Sequence, residues 1–249
     1  MLDLDSYLRR IGYDGPQAPT QATLWAVHAA HIEAVPFENL DIHAGRPIVL
    51  DEDALFDKIV RRHRGGFCYE LNGLFSVLLT ELGFRVTRLS AGVLDDAGVF
   101  GPEFDHMTLL VDLENRWLAD VGFGDAFWEP LRLDDPHEQT QRGRRFTIAH
   151  DGHLGTLHFE YAQGKPEGYR FSFQPRQFVE YESMCHYHQT SPDSPFTRGR
   201  FVTKATPTGR ITLSETRVIV TERGQRNERL LAEGEWERIL QEEFGISRP

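Results

Sequence analysis

A chain of 249 residues with 40% hydrophobic content is long enough to bury a sizeable core, as one large domain or two to three small ones. Its net charge of −11 argues against nucleic acid as the main partner, because phosphate binding depends on clustered positive charge. Two cysteines, Cys68 and Cys185, are too few for a disulfide framework or a cysteine-rich zinc site. No run approaches membrane-spanning length, and the opening Met1 to Ser6 lacks the basic and apolar parts of a secretory signal, so a cytoplasmic protein without metal or membrane partner is expected.

From the start to about Gly83 the signals are helical. Ser6 begins a short helix that Gly12 ends, and Thr20 or Thr23 caps a second, with Leu24, Val27, His28 and His31 on one face until Pro36 stops it. A third runs from Asp51 or Asp53 through Leu55, Phe56, Ile59 and Val60. After the basic run Arg61-Arg62-His63-Arg64 and the pair Gly65-Gly66, the residues Cys68, Leu71, Phe75, Leu78, Leu79 and Leu82 recur at helical spacing until Gly83.

From Phe84 the period changes to that of strands, at Phe84 to Leu89, His106 to Val111, Trp117 to Val121, Arg145 to Ala149, Thr156 to Tyr161 and Tyr169 to Phe173. This pattern predicts a sheet or small barrel. Cys185-His186-Tyr187-His188 lacks a clear fourth ligand for a metal and reads as a loop. Beyond Pro192 and Pro195 come strands at Phe201 to Ala205, Arg210 to Leu213 and Arg217 to Thr221, then an amphipathic helix from Gly234 to Phe244.

Cys68 starts the apolar stripe of its helix, where unpaired N–H groups and the helix dipole favour thiolate over thiol and the basic run adds positive charge. Taken alone, the reading of a small buried core residue prevails, and it is the residues downstream that overturn it. A cysteine nucleophile needs a base and an acid that orients the base. His106 opens one apolar strand and Asp120 closes the next. If that hairpin turns through Leu113-Glu114-Asn115 with Asn115 left-handed, Asp112 faces Arg116 and Thr108 faces Asp120. His106 and Asp120 then share a face about 7–8 Å apart at Cα. A two-residue turn at Glu114-Asn115 would put them on opposite faces. Glu70, Asn72 and Glu38 read as salt-bridged scaffold around Arg64 and Arg10.

The sequence resembles the arylamine N-acetyltransferase family in its prokaryotic form. The likeness rests on Arg64-Gly65-Gly66-Phe67-Cys68-Tyr69-Glu70-Leu71-Asn72-Gly73-Leu74-Phe75, Val35-Pro36-Phe37-Glu38-Asn39-Leu40, Asp105-His106 and Asp120-Val121-Gly122-Phe123-Gly124. Arg10-Ile11-Gly12-Tyr13 and Ser191-Pro192-Asp193-Ser194-Pro195-Phe196 extend it. The resemblance implies an α+β fold with a cysteine-protease-like Cys-His-Asp core on Cys68, His106 and Asp120. Its parts would be an N-terminal helical bundle (1–84), a central β-barrel (85–188) and a C-terminal α/β lid (189–249). It further implies acetyl-coenzyme A (acetyl-CoA) as donor, with Gly124 and Phe196 beside the coenzyme, and a small aromatic amine, hydrazine or N-hydroxyarylamine as acceptor, with Phe37 and Phe123 at its pocket. Competing readings are a cysteine hydrolase or transglutaminase-like enzyme, an amide synthase closing a polyketide chain, and a non-catalytic binding module.

Overall fold

The computed structural model describes residues 2–161 and 167–247. Helix α1 (Leu4–Ile11) is capped by Asp3, whose Oδ1 accepts the Ser6 N–H at 3.0 Å, and ends at Gly12 with φ +68°. Thr20 caps α2 (Gln21–Ala34). Strand β1 (Phe37–Glu38) and the single turn α3 (Leu40–His43) follow. Helix α4 (Glu52–Phe56) widens into a π-helical turn over Asp57–Arg61 before α5 (Cys68–Glu81). Every residue of α5 from Cys68 to Leu79 is buried. The apolar spacing predicts one core-facing stripe; α5 instead runs through the centre, with helices on one side and the barrel on the other.

Eight antiparallel strands follow: β2 (Arg85–Val93), β3 (His106–Asp112), β4 (Arg116–Ala119), β5 (Leu131–Arg132), β6 (Gln139–Gln141), β7 (Arg144–Asp151), β8 (Leu154–Tyr161) and β9 (Glu167–Ser172). Their order, β5-β4-β3-β2-β9-β8-β7-β6, makes a nearly closed barrel around Leu89, Leu118, Phe127, Phe146, Leu157 and Tyr169. Side-chain amides bridge the two edges in place of a ladder. Gln139 exchanges two 2.8 Å hydrogen bonds with the Arg132 backbone, and Gln141 accepts the Trp128 N–H at 3.0 Å and donates to the Glu129 carbonyl at 2.8 Å. Between β3 and β4 the register pairs Asp112 with Arg116 and Leu109 with Ala119, as the three-residue turn requires. Asn115 is not left-handed; the Leu113 N–H closes the turn by donating to the Asn115 carbonyl at 3.0 Å.

The stretch Cys185 to His188 is helical and not a loop. It lies within α6 (Glu182–Thr190), whose Cys185 and His188, one turn apart, are buried together. Strands β10 (Phe201–Thr206), β11 (Gly209–Ser214), β12 (Arg217–Glu222) and β13 (Gln225–Leu230) join β1 in a second sheet, ordered β1-β10-β11-β12-β13. Strand β13 is an edge strand exposed at every residue, and its polar sequence carries no alternation to announce it. Helix α7 (Glu235–Phe244) packs Trp236, Ile239, Leu240 and Phe244 against this sheet. Through β1 the early chain is stitched to the late one, with Phe37 opposite Thr203, while a parallel bridge joins Phe37 to Gly66.

Candidate active site

Cys68 is placed by what precedes it. The Glu38 N–H donates to the Gly66 carbonyl at 2.9 Å, and a Cβ on Gly65 would stand 1.9 Å from the Pro36 carbonyl oxygen, so only glycine admits this contact. Phe67, fully buried, is the N-cap residue of α5, and its N–H donates to Glu70 Oε2 at 3.1 Å. Below it lies an ionic knot. Lys58 Nζ reaches Glu70 Oε1 at 2.7 Å and Asp41 Oδ2 at 2.8 Å, while Arg64 reaches Glu38 Oε1 at 2.7 Å and Asp41 Oδ1 at 3.2 Å. All five side chains are buried. Arg10 does not pair with Glu38; its guanidinium donates to the carbonyls of Ile59 and Ala34 at 2.9 Å each.

This corrects the expected electrostatics of Cys68. Arg64 is taken up by Glu38 and Asp41, and Arg61 and Arg62 lie outside against Asp57, so the basic run does not surround the thiol. Burial pushes the Cys68 thiol well up, and Asp105, Cys185 and Asp120 push the same way, against a backbone hydrogen bond from Met107. Burial likewise pushes Cys185 up, to about 12.

The hairpin register brings His106 and Asp120 together, with His106 Nε2 donating to Asp120 Oδ2 at 2.7 Å and both side chains buried. That choice of nitrogen leaves Nδ1 as the other face of the imidazole. Asp120 is held on every side. Its Oδ1 accepts Asn72 Nδ2 at 2.8 Å and the Gly122 N–H at 3.0 Å, and its Oδ2 also accepts the Tyr169 hydroxyl at 2.9 Å. Burial opposes its charge, but His106, Asn72 and Gly122 outweigh burial and hold the carboxyl below its ordinary range. Behind it, His28 lies 3.2 Å from the Asp120 carbonyl, with a pKa lowered to about 4 by burial, so it is neutral near pH 7.

Asn72, read above as scaffold, is the tie between the two halves of the site. One turn beyond Cys68, it donates to Asp120 and, at 2.6 Å, to the Met107 carbonyl, and accepts the Val121 N–H at 2.9 Å. Its position at i+4 from Cys68 on the same helix is the signal that would have found it. Tyr169, on β9, carries no such local signal.

Aromatic rings border this centre. Phe123 stands edge-on to His106 at 5.3 Å, and Phe37 stacks on Phe201 at 5.6 Å with Phe196 at 6.2 Å. Gly124, at φ +90°, lies beside the Phe37 ring. A narrow cleft lined by Phe37, Asp120, Phe123, Gly124, Thr203 and Arg210 joins these groups; Phe196 is outside it and packs edge-on to Phe67 at 5.5 Å. Sharing Arg210 with this cleft is a larger cavity of about 960 Å³ between barrel and second sheet, lined by Arg142, Arg144, Arg210, Arg223, Arg226 and Trp128. Among the described residues, no group of three or more His, Cys, Asp or Glu is arranged to hold a metal ion, and no helix is long and apolar enough to cross a membrane.

A family model described as N-acetyltransferase matches residues 20–248. The arylamine N-acetyltransferase of Mycolicibacterium smegmatis is 39% identical over 221 residues, covering 85% of this chain and 80% of the relative. Among solved structures, the arylamine N-acetyltransferase of Nocardia farcinica superposes with a TM-score of 0.90 at 37% identity, covering 100% of this chain and 90% of its own. That of Mycobacterium marinum, solved in complex with CoA, has a TM-score of 0.90 at 32% identity and covers 98% of this chain and 93% of its own.

Proposed function

Since the chain belongs to the arylamine N-acetyltransferase family, and is therefore an acyltransferase, we propose that it carries acetyl from acetyl-CoA through a Cys68 thioester to an arylamine, arylhydrazine or N-hydroxyarylamine. The observation that carries this reading is the 2.7 Å His106–Asp120 pair, tied by Asn72 to the helix that Cys68 begins. The Cys68 proton passes to His106 Nδ1 and the thiolate attacks the acetyl carbonyl carbon. N–H groups at the start of α5 take up the oxyanion. Collapse breaks the bond to coenzyme A, whose sulfur leaves as the thiol by taking from His106 the proton that Cys68 gave up. The amine then attacks the acetyl-enzyme, His106 takes its proton, and Cys68 leaves as thiolate and is reprotonated. Asp120, ionised in this setting, fixes the imidazole tautomer and supports its charge.

The donor assignment is supported by the coenzyme in the M. marinum structure and by the arginine-lined cavity that meets the reaction cleft at Arg210, a cationic wall in an acidic protein. Gly124 and Phe196 are read as coenzyme contacts, and Phe37 and Phe123 as the acceptor pocket whose rings keep water from the thioester. In this reading residues 1–84 supply the nucleophile, 85–188 its base and acid, and 189–249 the cover. Mass spectrometry after incubation with acetyl-CoA and no acceptor tests it. One acetyl group on Cys68, discharged by an aromatic amine, is the expected result; no adduct, or one on Cys185, overturns it.

A further inference from the structure

Phe104 has φ +71°, a left-handed conformation that a bulky residue adopts only when its surroundings impose it. The Tyr69 hydroxyl donates to the carbonyls of Phe104 at 2.7 Å and Asp105 at 3.1 Å, and the Phe104 ring packs edge-on against Tyr181 at 5.2 Å. Next to His106, Asp105 then reaches α6. Its Oδ1 lies 3.0 Å from His188 Nε2, and its Oδ2 accepts the Val93 N–H at 3.2 Å.

The hydrogen bonds around His188 accommodate a doubly protonated ring. His188 Nδ1 lies 3.1 Å from the hydroxyl of fully buried Ser194, and that hydroxyl is also 3.2 Å from the His188 carbonyl, while it accepts the Phe196 N–H at 3.2 Å. If Ser194 gives its one proton to the carbonyl, Nδ1 must donate to Ser194 and Nε2 to Asp105. Every group is then satisfied with His188 doubly protonated. The Phe196 ring stands edge-on to His188 at 5.1 Å, so the same contacts hold the Ser191 to Phe196 segment in place.

We propose that Asp105 and His188 form a charge-compensated pair beside His106, acting as positioning residues that seat Phe196 and set the field in which Cys68 ionises. It rests on Cys68 being the acyl-accepting thiol. Asp105 opposes a thiolate at Cys68, second only to burial and ahead of Cys185 and Asp120 among the causes that raise the thiol. A protonated His188 cancels that opposition. The other titratable or charged groups around the pair are Tyr69 on α5, His106 and Asp120 on the barrel, Cys185, Tyr181 and Tyr187 on the α6 side, and the Arg176–Glu103 ion pair. None of these is altered in the test.

The experiment compares the full chain with Asp105→Asn, His188→Gln and the double variant. It follows iodoacetamide labelling of Cys68 by mass across pH, alongside melting temperature and the acetylation rate with acetyl-CoA. Removing the carboxylate should lower the labelling midpoint by about one pH unit, and removing the imidazolium should raise it by about one. Acetylation near neutral pH should fall about tenfold in His188→Gln, and the double variant, which loses both charges, should return the labelling midpoint to that of the unaltered chain. A bond of purely structural worth predicts shifts of the same sign in both single variants, and that result overturns the proposal. Should His188→Gln not fold, Asp105→Asn decides alone, because a midpoint that stays or rises contradicts it. Absence of acetylation in the unaltered protein would defeat the acetyl-transfer reading instead, and the labelling shifts, which need no acetyl-CoA, separate the two failures.

Discussion

Gly122 rests on the first turn of the Cys68 helix: a Cβ at Gly122 would come within 2.9 Å of the Cys68 Cα and 2.7 Å of Asn72 Nδ2. Both neighbours are held in place, so an added methyl has to push the strand end carrying Asp120 away from the helix. Gly122→Ala is expected to destabilise by about 1–3 kcal/mol and to slow acetylation more than tenfold. Gly199→Ala, with no atom within 4 Å of its added Cβ, is the neutral control. Melting temperature and single-turnover acetylation of the two variants check this, and equal effects would refute it.

Asn72→Ala leaves the Val121 N–H and one Asp120 oxygen without the partner they have at 2.9 and 2.8 Å. A loss of about 2–4 kcal/mol is expected, since buried groups stripped of partners cost about 1–3 kcal/mol each. Acetylation should fall further than the stability loss explains, because Asp120 is then held by fewer donors. Denaturant midpoints set beside acetylation rates in the folded range distinguish the two effects.

How much of this was legible depends on range. The Cys68 helix, the hairpin register and the meeting of His106 with Asp120 follow from local rules: glycines before a helix, alternation in strands, a three-residue turn. The ionic knot is not legible locally because Glu38, Asp41, Lys58, Arg64 and Glu70 come from five separate elements and connections, and no spacing pairs Arg64 with Glu38 in preference to Cys68. Tyr169 reaches Asp120 across 49 residues by barrel closure, and His188 reaches Asp105 across 83. Helix α6 escaped because Cys, His and Tyr carry weak helical propensity, so packing decides it.

Lys58→Met should cost about 3–5 kcal/mol, because it strands the Glu70 carboxylate and leaves Asp41 with Arg64 alone, in a site where the ammonium is 6% exposed. Adding Glu70→Gln should recover part of the loss, as one stranded charge is removed. The deficit should barely change with salt, which screens exposed pairs and not buried ones. Urea denaturation at low and high ionic strength measures it, and a deficit that vanishes in salt would contradict burial.

Asp120 links stability and reactivity to pH. Its carboxyl lies below its ordinary value in the folded state, so its contribution is present above about pH 4 and is lost as pH falls through the folded value. Asp120→Asn is expected to be less stable than the unaltered chain near neutrality, with the gap closing in acid. Acetylation should drop about a thousandfold or more. His106→Gln should move Cys68 labelling above the usual thiol value of about 8.5, since burial and Asp120 then act on the thiol without the His106 imidazolium to offset them. Labelling that keeps the same midpoint in both variants would remove His106 from the thiol's environment.

The cavity of about 960 Å³ behind Arg210 supports a final prediction about the donor. Arg223 and Arg226 sit at the β12–β13 turn and the start of exposed strand β13, away from the reacting groups, so reversing their charge leaves Cys68, His106 and Asp120 in place. Acetyl-CoA carries phosphates that a cationic wall attracts, whereas p-nitrophenyl acetate delivers the same acetyl group without them. Arg223→Glu combined with Arg226→Glu should raise KM for acetyl-CoA about tenfold or more and steepen with falling ionic strength, because screening weakens the repulsion. The rate with p-nitrophenyl acetate should stay within about twofold, because surface substitutions away from the site shift energies by about 0.5 kcal/mol or less. If both donors suffer alike, the substitutions have disturbed the fold. If neither does, the phosphates lie elsewhere and the arginine-lined cavity is no part of the donor site.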